Sequence, residues 1–141
     1  DDLVLALLGA QPLARHAGHV TGIEGDAGLV ERARRNARAN GLANAEFLQA
    51  DLASEPSAAW ARARYELVLL DPPRSGAAAL LPLLPKLGAR RIAYVSCDAA
   101  TLARDAAVLC ARGRYTLSHA GVFAMFPQTP HFESLAVFAS S

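Results

Sequence analysis

Apolar and polar positions along this chain switch between two periods. Short apolar runs such as Leu67-Val68-Leu69-Leu70 and Ile92-Ala93-Tyr94-Val95 are separated by stretches such as Leu29, Val30, Ala33 and Ala37, where apolar residues recur at helical spacing. A short continuous run fits a strand buried on both faces, whereas recurrence at i, i+3 and i+4 buries one stripe of a helix. Strands and helices in alternation predict an α/β domain built on a doubly wound, mostly parallel sheet.

Leu3 to Leu8 reads either as a first buried strand or as the opening of a helix that continues through Ala14. His19 to Glu24 is a strand flanked by Gly18 and Gly25, and Asp26 then N-caps a long helix with its arginines outside, ended by Gly41. Ala45 to Gln49 is a short strand leading to Asp51, followed by a helix over Leu52 to Ala63 and a central strand over Glu66 to Leu70. Ala77 to Leu87 is helical in spacing, with Pro82 and Pro85 placed to bend or break it. Arg91 to Ser96 is the next strand, and Asp98 can N-cap a helix from Ala99 to about Arg112, closed by Gly113. Tyr115 to Val122 and Phe132 to Phe138 read as the last strands, joined by the loop Ala124 to His131.

The 141 residues are enough for one domain with its own core, and 52% hydrophobic against 19% charged is the balance of a compact protein. A formal net charge of +1 gives no global attraction to nucleic acid, so any basic face is local. Lys86 is the only lysine, and arginine is the better fork for phosphate and for stacking on bases. Cys97 falls at a strand end and Cys110 on the apolar side of the next helix, so no disulfide is expected and a reducing, cytoplasmic setting fits. No apolar run reaches membrane-spanning length, and no metal site is expected.

Chemistry concentrates where strands end. In open α/β sheets ligands bind in the crevice at the carboxyl ends of the strands, and Glu24, Asp51, Asp71 and Cys97 each end an apolar run. Glu24 stands where such folds place a carboxylate for a ribose diol, and Asp51 can accept from an adenine amino group. In Asp71-Pro72-Pro73-Arg74 each proline holds the preceding residue extended, making a rigid, donor-free wall beside the carboxylate, with Arg74 left to meet phosphate or stack. Cys97 precedes a helix start, which favours a thiolate, and Asp98 beside it works the other way. In the stretch from Phe126 to Glu133 two prolines fix a loop, and strand alternation would put His131 and Glu133 on one face. A glutamate on a largely apolar strand needs a partner or a task.

Three ordered stretches carry a family resemblance: Leu-Asp-Pro-Pro-Arg-Ser-Gly at 70 to 76, Tyr-Val-Ser-Cys-Asp-Ala-Ala-Thr-Leu-Ala-Arg-Asp at 94 to 105, and Phe-Pro-Gln-Thr-Pro-His-Phe-Glu-Ser at 126 to 134. With them the chain resembles the RNA uracil-5 methyltransferases, which make 5-methyluridine in tRNA and large-subunit rRNA. The resemblance implies the Rossmann-like fold of class I S-adenosylmethionine-dependent methyltransferases, in a catalytic domain of a longer protein whose upstream domains and RNA are its partners. It also implies roles. Cys97 would attack carbon-6 of uracil, Glu133 would remove the carbon-5 proton, and Asp71 would hold base and cofactor in register. Glu24, Asp51, Asp71 and Gly9 would bind S-adenosyl-L-methionine, while Arg74, Pro72 and His131 would face the RNA. Leu3 to Pro12 keeps only Gly9 where the family has a glycine-rich loop, which predicts that this chain alone binds the cofactor weakly or not at all.

The alternative is a non-catalytic RNA-binding or assembly module that keeps the fold with a degraded cofactor loop. An amino-directed nucleic-acid methyltransferase would carry an aromatic residue where Arg74 stands, and a cysteine hydrolase lacks any signal for an oxyanion hole.

Overall fold

A computed structural model describes residues 3–6, 10–51, 59–111, 113–125, 128–129 and 131–141. Strand β1 (Leu3–Ala6) is followed by a short helix α1 (Ala10–Ala14), strand β2 (His19–Glu24), helix α2 (Ala27–Ala39) and strand β3 (Ala45–Gln49). Strands β4 (Leu67–Leu70) and β5 (Arg91–Ser96), helix α3 (Ala99–Ala111) and strands β6 (Tyr115–Phe123) and β7 (Glu133–Ser140) complete the chain. The strand reading of the first segment holds over Leu3–Ala6, and the helix reading is corrected: the helix that reaches Ala14 starts separately, at Ala10.

Among the described residues, the strands form one sheet in the order β3-β2-β1-β4-β5-β7-β6. Strands β1 to β5 run parallel to their neighbours, and β7 enters antiparallel between β5 and β6. The order reverses at β1, because the chain winds outward through β2 and β3 and then returns to β4 on the other side of β1. Such a reversal leaves a crevice at the carboxyl ends of the strands.

Helix α2 begins where the sequence puts it. The Asp26 carboxylate accepts from the Leu29 N–H at 2.8 Å, satisfying a donor that has no partner within the helix. Its end is a left-handed turn: Gly41 has φ 66, and the Leu42 N–H donates back to the Ala37 carbonyl at 2.9 Å.

The sheet separates two apolar layers. Val20, Val30, Ala37 and Phe47 pack under α1 and α2 on one face. On the other, Val68, Leu70, Ile92, Tyr94 and Phe138 pack against Leu102 and Leu109 of α3 and against Leu80 to Leu87. Complete burial of a side chain such as Ile92 or Phe138 stabilises the fold by about 2 kcal/mol relative to exposure.

Two helical expectations are corrected. Ala77 to Leu87 is a succession of turns, with N–H groups of Leu80, Leu83 and Lys86 each donating three residues back. Pro82 and Pro85 have no N–H to give a continuous ladder, so the stretch coils instead while still burying Leu80, Leu81, Leu84 and Leu87. Of the helix expected over Leu52 to Ala63, the described part is a single 3-10 turn, Ala59–Arg62, and 52–58 lie outside the described residues.

Candidate active site

The parallel registers deliver four sequence-predicted residues to one edge of the sheet. Glu24 is the last residue of β2, paired with Gln49 of β3, so Asp51 leaves β3 just beyond it. Leu70 of β4 pairs with Tyr94 of β5, which sends Asp71 and Cys97 out at the same edge. A cleft of about 850 Å³ opens there, with Glu24, Asp51 and Asp71 on its rim and Ile23, Leu29 and Pro72 among its walls. Mixed lining of this kind, mostly apolar with a few convergent acceptors, suits a flat heterocycle carrying a diol. The rim is braced locally: the Glu24 carboxylate accepts from the Asp26 N–H at 3.0 Å, and the Gln49 side-chain amide donates to the Gly25 carbonyl at 3.1 Å.

A second cluster adjoins the first, and the antiparallel β7 creates it. Val95 pairs with Leu135 and Ser96, the last residue of β5, with Ser134, so Cys97 leaves β5 at the end where Glu133 begins β7. Glu133 is itself paired with Phe123 of β6. Paired residues share a face, so Glu133 and Phe123 stand side by side at the strand ends, where Cys97 follows β5. Cys97 and the half-exposed Phe123 are open to solvent, and Glu133 is partly covered. Asp71 belongs to both clusters. Burial raises the pKa of its carboxyl above the ordinary value, and the nearby Glu133 charge raises it further.

Asp98, next to the thiol, is engaged as the N-cap of α3. Its carboxylate accepts from the Thr101 N–H at 2.9 Å, and that bond, opposed by desolvation and helped by the Thr101 side chain and the Arg74 charge, holds its pKa below the usual range. Arg74 thus stands within electrostatic reach of the helix that Cys97 precedes. Ser96 pins the same turn, its hydroxyl donating to the Asp98 carbonyl at 3.0 Å. Cys110, as expected, lies half-buried against the core, apart from Cys97, and both thiols are free.

Some expectations are not met. Strand β7 starts at Glu133, so alternation does not reach His131, which is exposed in the loop with its N–H donating to Thr129 Oγ1 at 3.3 Å. Gly9, Phe126, Pro127 and Pro130 lie outside the described residues. Sequence reasoning assigned no role to Tyr94 and Asp105, both fully buried and joined by a 2.6 Å hydrogen bond from the tyrosine hydroxyl. The available signal was an acid on the buried stripe Leu102, Asp105, Leu109 of α3.

The sequence model of the family described as "Methyltransferase domain" matches residues 4–127. The chain belongs to the methyltransferase-domain family. It is 55% identical over 128 residues to the 23S rRNA (uracil(1939)-C(5))-methyltransferase RlmD of Stenotrophomonas maltophilia, covering 90% of this chain and 29% of that protein. The protein of the same description from Methylococcus capsulatus is 56% identical over the same shares of the two lengths. The chain therefore spans about 29% of the length of these curated relatives. Among solved structures, Pyrococcus abyssi tRNA (uracil-54, C5)-methyltransferase in complex with S-adenosyl-L-homocysteine superposes with a TM-score of 0.82 at 29% identity, covering 99% of this chain and 34% of that one. M. jannaschii TYW2 in complex with AdoMet, at 15% identity and a TM-score of 0.68 over 99% of this chain and 68% of that one, shares the fold alone. These similarities bear out the Rossmann-like methyltransferase fold and the resemblance to RNA uracil-5 methyltransferases.

Proposed function

We propose that this chain is the catalytic domain of an S-adenosylmethionine-dependent RNA (uracil-5-)-methyltransferase, acting on a uridine of 23S rRNA within a longer cytoplasmic protein. The observation that supports the reading is that Cys97, just past the end of β5, and Glu133, at the start of antiparallel β7, come to the same end of paired strands, with Asp71 lining the cleft and feeling the Glu133 charge. A module kept only for binding RNA has no need of a thiol and a carboxylate gathered at one end of paired strands, which favours the catalytic reading over the binding alternative.

The cleft fits the cofactor by its donor set: carboxylates of Glu24 and Asp51 on the rim would accept from the ribose diol and the adenine amino group, between apolar walls. When bound, S-adenosylmethionine supplies an electrophilic methyl group. Cys97 Sγ adds as a thiolate to carbon-6 of uracil, forming the S–C bond while the ring's π electrons move toward carbon-5 and the 4-oxygen. Carbon-5 would take the methyl group as its bond to the cofactor's sulfonium breaks, leaving S-adenosylhomocysteine, and Glu133 then takes the carbon-5 proton. The electrons of that C–H bond restore the ring double bond as the S–C bond breaks, returning the thiolate. Asp71, which lines the cleft and lies within electrostatic reach of Glu133, would hold base and cofactor in register. Pro72 lines the cleft and Arg74 and His131 are exposed, and these three would face a splayed base and its phosphates.

In the full-length protein carrying this domain, methyl transfer to an RNA containing the target uridine tests the assignment. Cys97→Ala should abolish transfer, whereas Glu133→Gln should leave methylated RNA covalently attached. Normal turnover by either variant would refute these roles.

A further inference from the structure

The cleft and the thiol are separate features of the surface, yet one buried carboxylate ties together the elements that carry both. Asp105 of α3 is completely buried, and both its oxygens are occupied. Oδ2 accepts from the Tyr94 hydroxyl at 2.6 Å and from the Ala77 N–H at 2.8 Å. Oδ1 accepts from Arg104 Nε at 2.9 Å and from Arg104 Nη2 at 2.7 Å. The same Nη2 reaches on to the Ser75 carbonyl at 2.9 Å. The Tyr94 hydroxyl also accepts from the Ala77 N–H at 3.1 Å.

These bonds join three pieces of chain. Tyr94 is in β5, three residues before Cys97; Asp105 and Arg104 are in α3, the helix that begins just after Cys97; Ser75 and Ala77 belong to the loop that leaves β4 through Asp71-Pro72-Pro73. Ser75, Gly76 and Ala77 line the cleft, but the Asp105 side chain does not. The loop lies flush on the network at Gly76, which has φ 89 and whose missing Cβ would fall 2.5 Å from Arg104 Nη2 and 2.6 Å from Asp105 Oδ2.

A buried charge is a poor way to add stability, since an apolar group of similar shape avoids the desolvation cost. It is a good way to fix geometry, because Oδ2 holds the loop at the Ala77 N–H while Oδ1 holds Arg104, which reaches the loop at the Ser75 carbonyl. We propose that Asp105 is a positioning residue of the site, holding the loop from Pro72 to Ala77 against β5 and α3 so that the cleft wall and Cys97 keep one relative placement. This rests on the proposed function for its consequence, and on the hydrogen bonds alone for the tie itself.

The test uses this chain with Asp105→Asn, Tyr94→Phe and Arg104→Gln; Arg104 is half exposed, so the last variant keeps the fold even where a core change does not. The first readout needs no ligand. Amide hydrogen exchange over 74–77 should accelerate at least tenfold in Arg104→Gln, with exchange in the β4 and β5 strands unchanged; unchanged loop exchange overturns the proposal. The second readout is S-adenosylhomocysteine affinity, followed as the ligand-induced rise in melting temperature at millimolar concentration. It should weaken at least fivefold in each variant that folds, but remain as in wild type in Ile92→Val, a core change on β5 away from the loop. Equal weakening in Ile92→Val would show a merely structural role and overturn the proposal. If the wild-type chain does not bind S-adenosylhomocysteine, the cofactor reading for the chain alone fails, and the exchange result still decides the tie.

Discussion

Replacing Gly76 by alanine puts a methyl group where the structure has no room for it, and the cost can be worked out by comparison with a second glycine. Gly76 has φ 89 and Gly41 has φ 66, so an alanine at either position is held in left-handed backbone, which costs about 1–2 kcal/mol. At Gly41 nothing lies within 4 Å of the added Cβ, and that strain is the whole effect. At Gly76 the Cβ would sit 2.5–2.6 Å from Arg104 Nη2, Asp105 Oδ2 and Thr101 Cγ2. The arginine end can swing away toward solvent. The Asp105 carboxylate cannot, because Tyr94 and Ala77 hold the oxygen that would have to move. Giving up one hydrogen bond to a buried charge costs about 1.5–3 kcal/mol. Gly76→Ala should therefore destabilise the chain by about 3–5 kcal/mol, some 2 kcal/mol more than Gly41→Ala, a large share of the roughly 5–15 kcal/mol typical of a folded domain. Urea denaturation of the two variants, compared at equal m-value, measures the difference. If they lose the same stability to within about 0.5 kcal/mol, the loop is not pressed onto the Asp105 network.

Three further outcomes follow from other bonds. Asp26→Ala removes the cap of α2 and should cost about 1 kcal/mol in the same urea assay, with no loss for Asp26→Ser. Burial alone would raise the pKa of Asp105, but the bonds from Tyr94, Ala77 and Arg104 hold it below the usual carboxylate value. A depressed folded pKa contributes stability that is complete above the unfolded value of about 4 and is lost as pH falls through the folded one, so Asp105→Asn should flatten the acid limb of the stability curve below about pH 4. Glu133→Gln removes the charge that adds to the burial of Asp71, so the Asp71 carboxyl should titrate lower by carbon-13 NMR, and an unchanged titration would deny their proximity.

Elements with chemical punctuation at both ends were the most legible. Strand β2 lies between Gly18 and Gly25, and its bounds agree with those read from the pattern, as do those of β3 and β5. The stretch from Ala77 to Leu87 has helical spacing of its leucines, but spacing reports which side is buried and not whether the N–H ladder can close past Pro82 and Pro85. The cleft acids were legible because each ends an apolar run, and strand ends gather at one edge in a parallel sheet. That Cys97 and Glu133 come to the same end of neighbouring strands was not derivable from spacing, since it depends on β7 inserting antiparallel between β5 and β6, a pairing with no local signature. Asp105 escaped notice for a similar reason. On a helix stripe it reads as a break in amphipathicity, and only the folded neighbours Tyr94, Ala77 and Arg104 show why a charge is stable there.

Everything proposed for the site turns on Cys97 being the nucleophile of a uracil-5 methyltransferase. Incubating the full-length protein with S-adenosylmethionine and an RNA containing 5-fluorouridine blocks the last proton removal, because fluorine replaces the hydrogen that Glu133 would take. A covalent protein–RNA adduct should then persist through denaturing electrophoresis, and peptide mass mapping should place it on Cys97. An adduct on another residue, or methylation of unmodified RNA by the Cys97→Ala protein, would rule that role out.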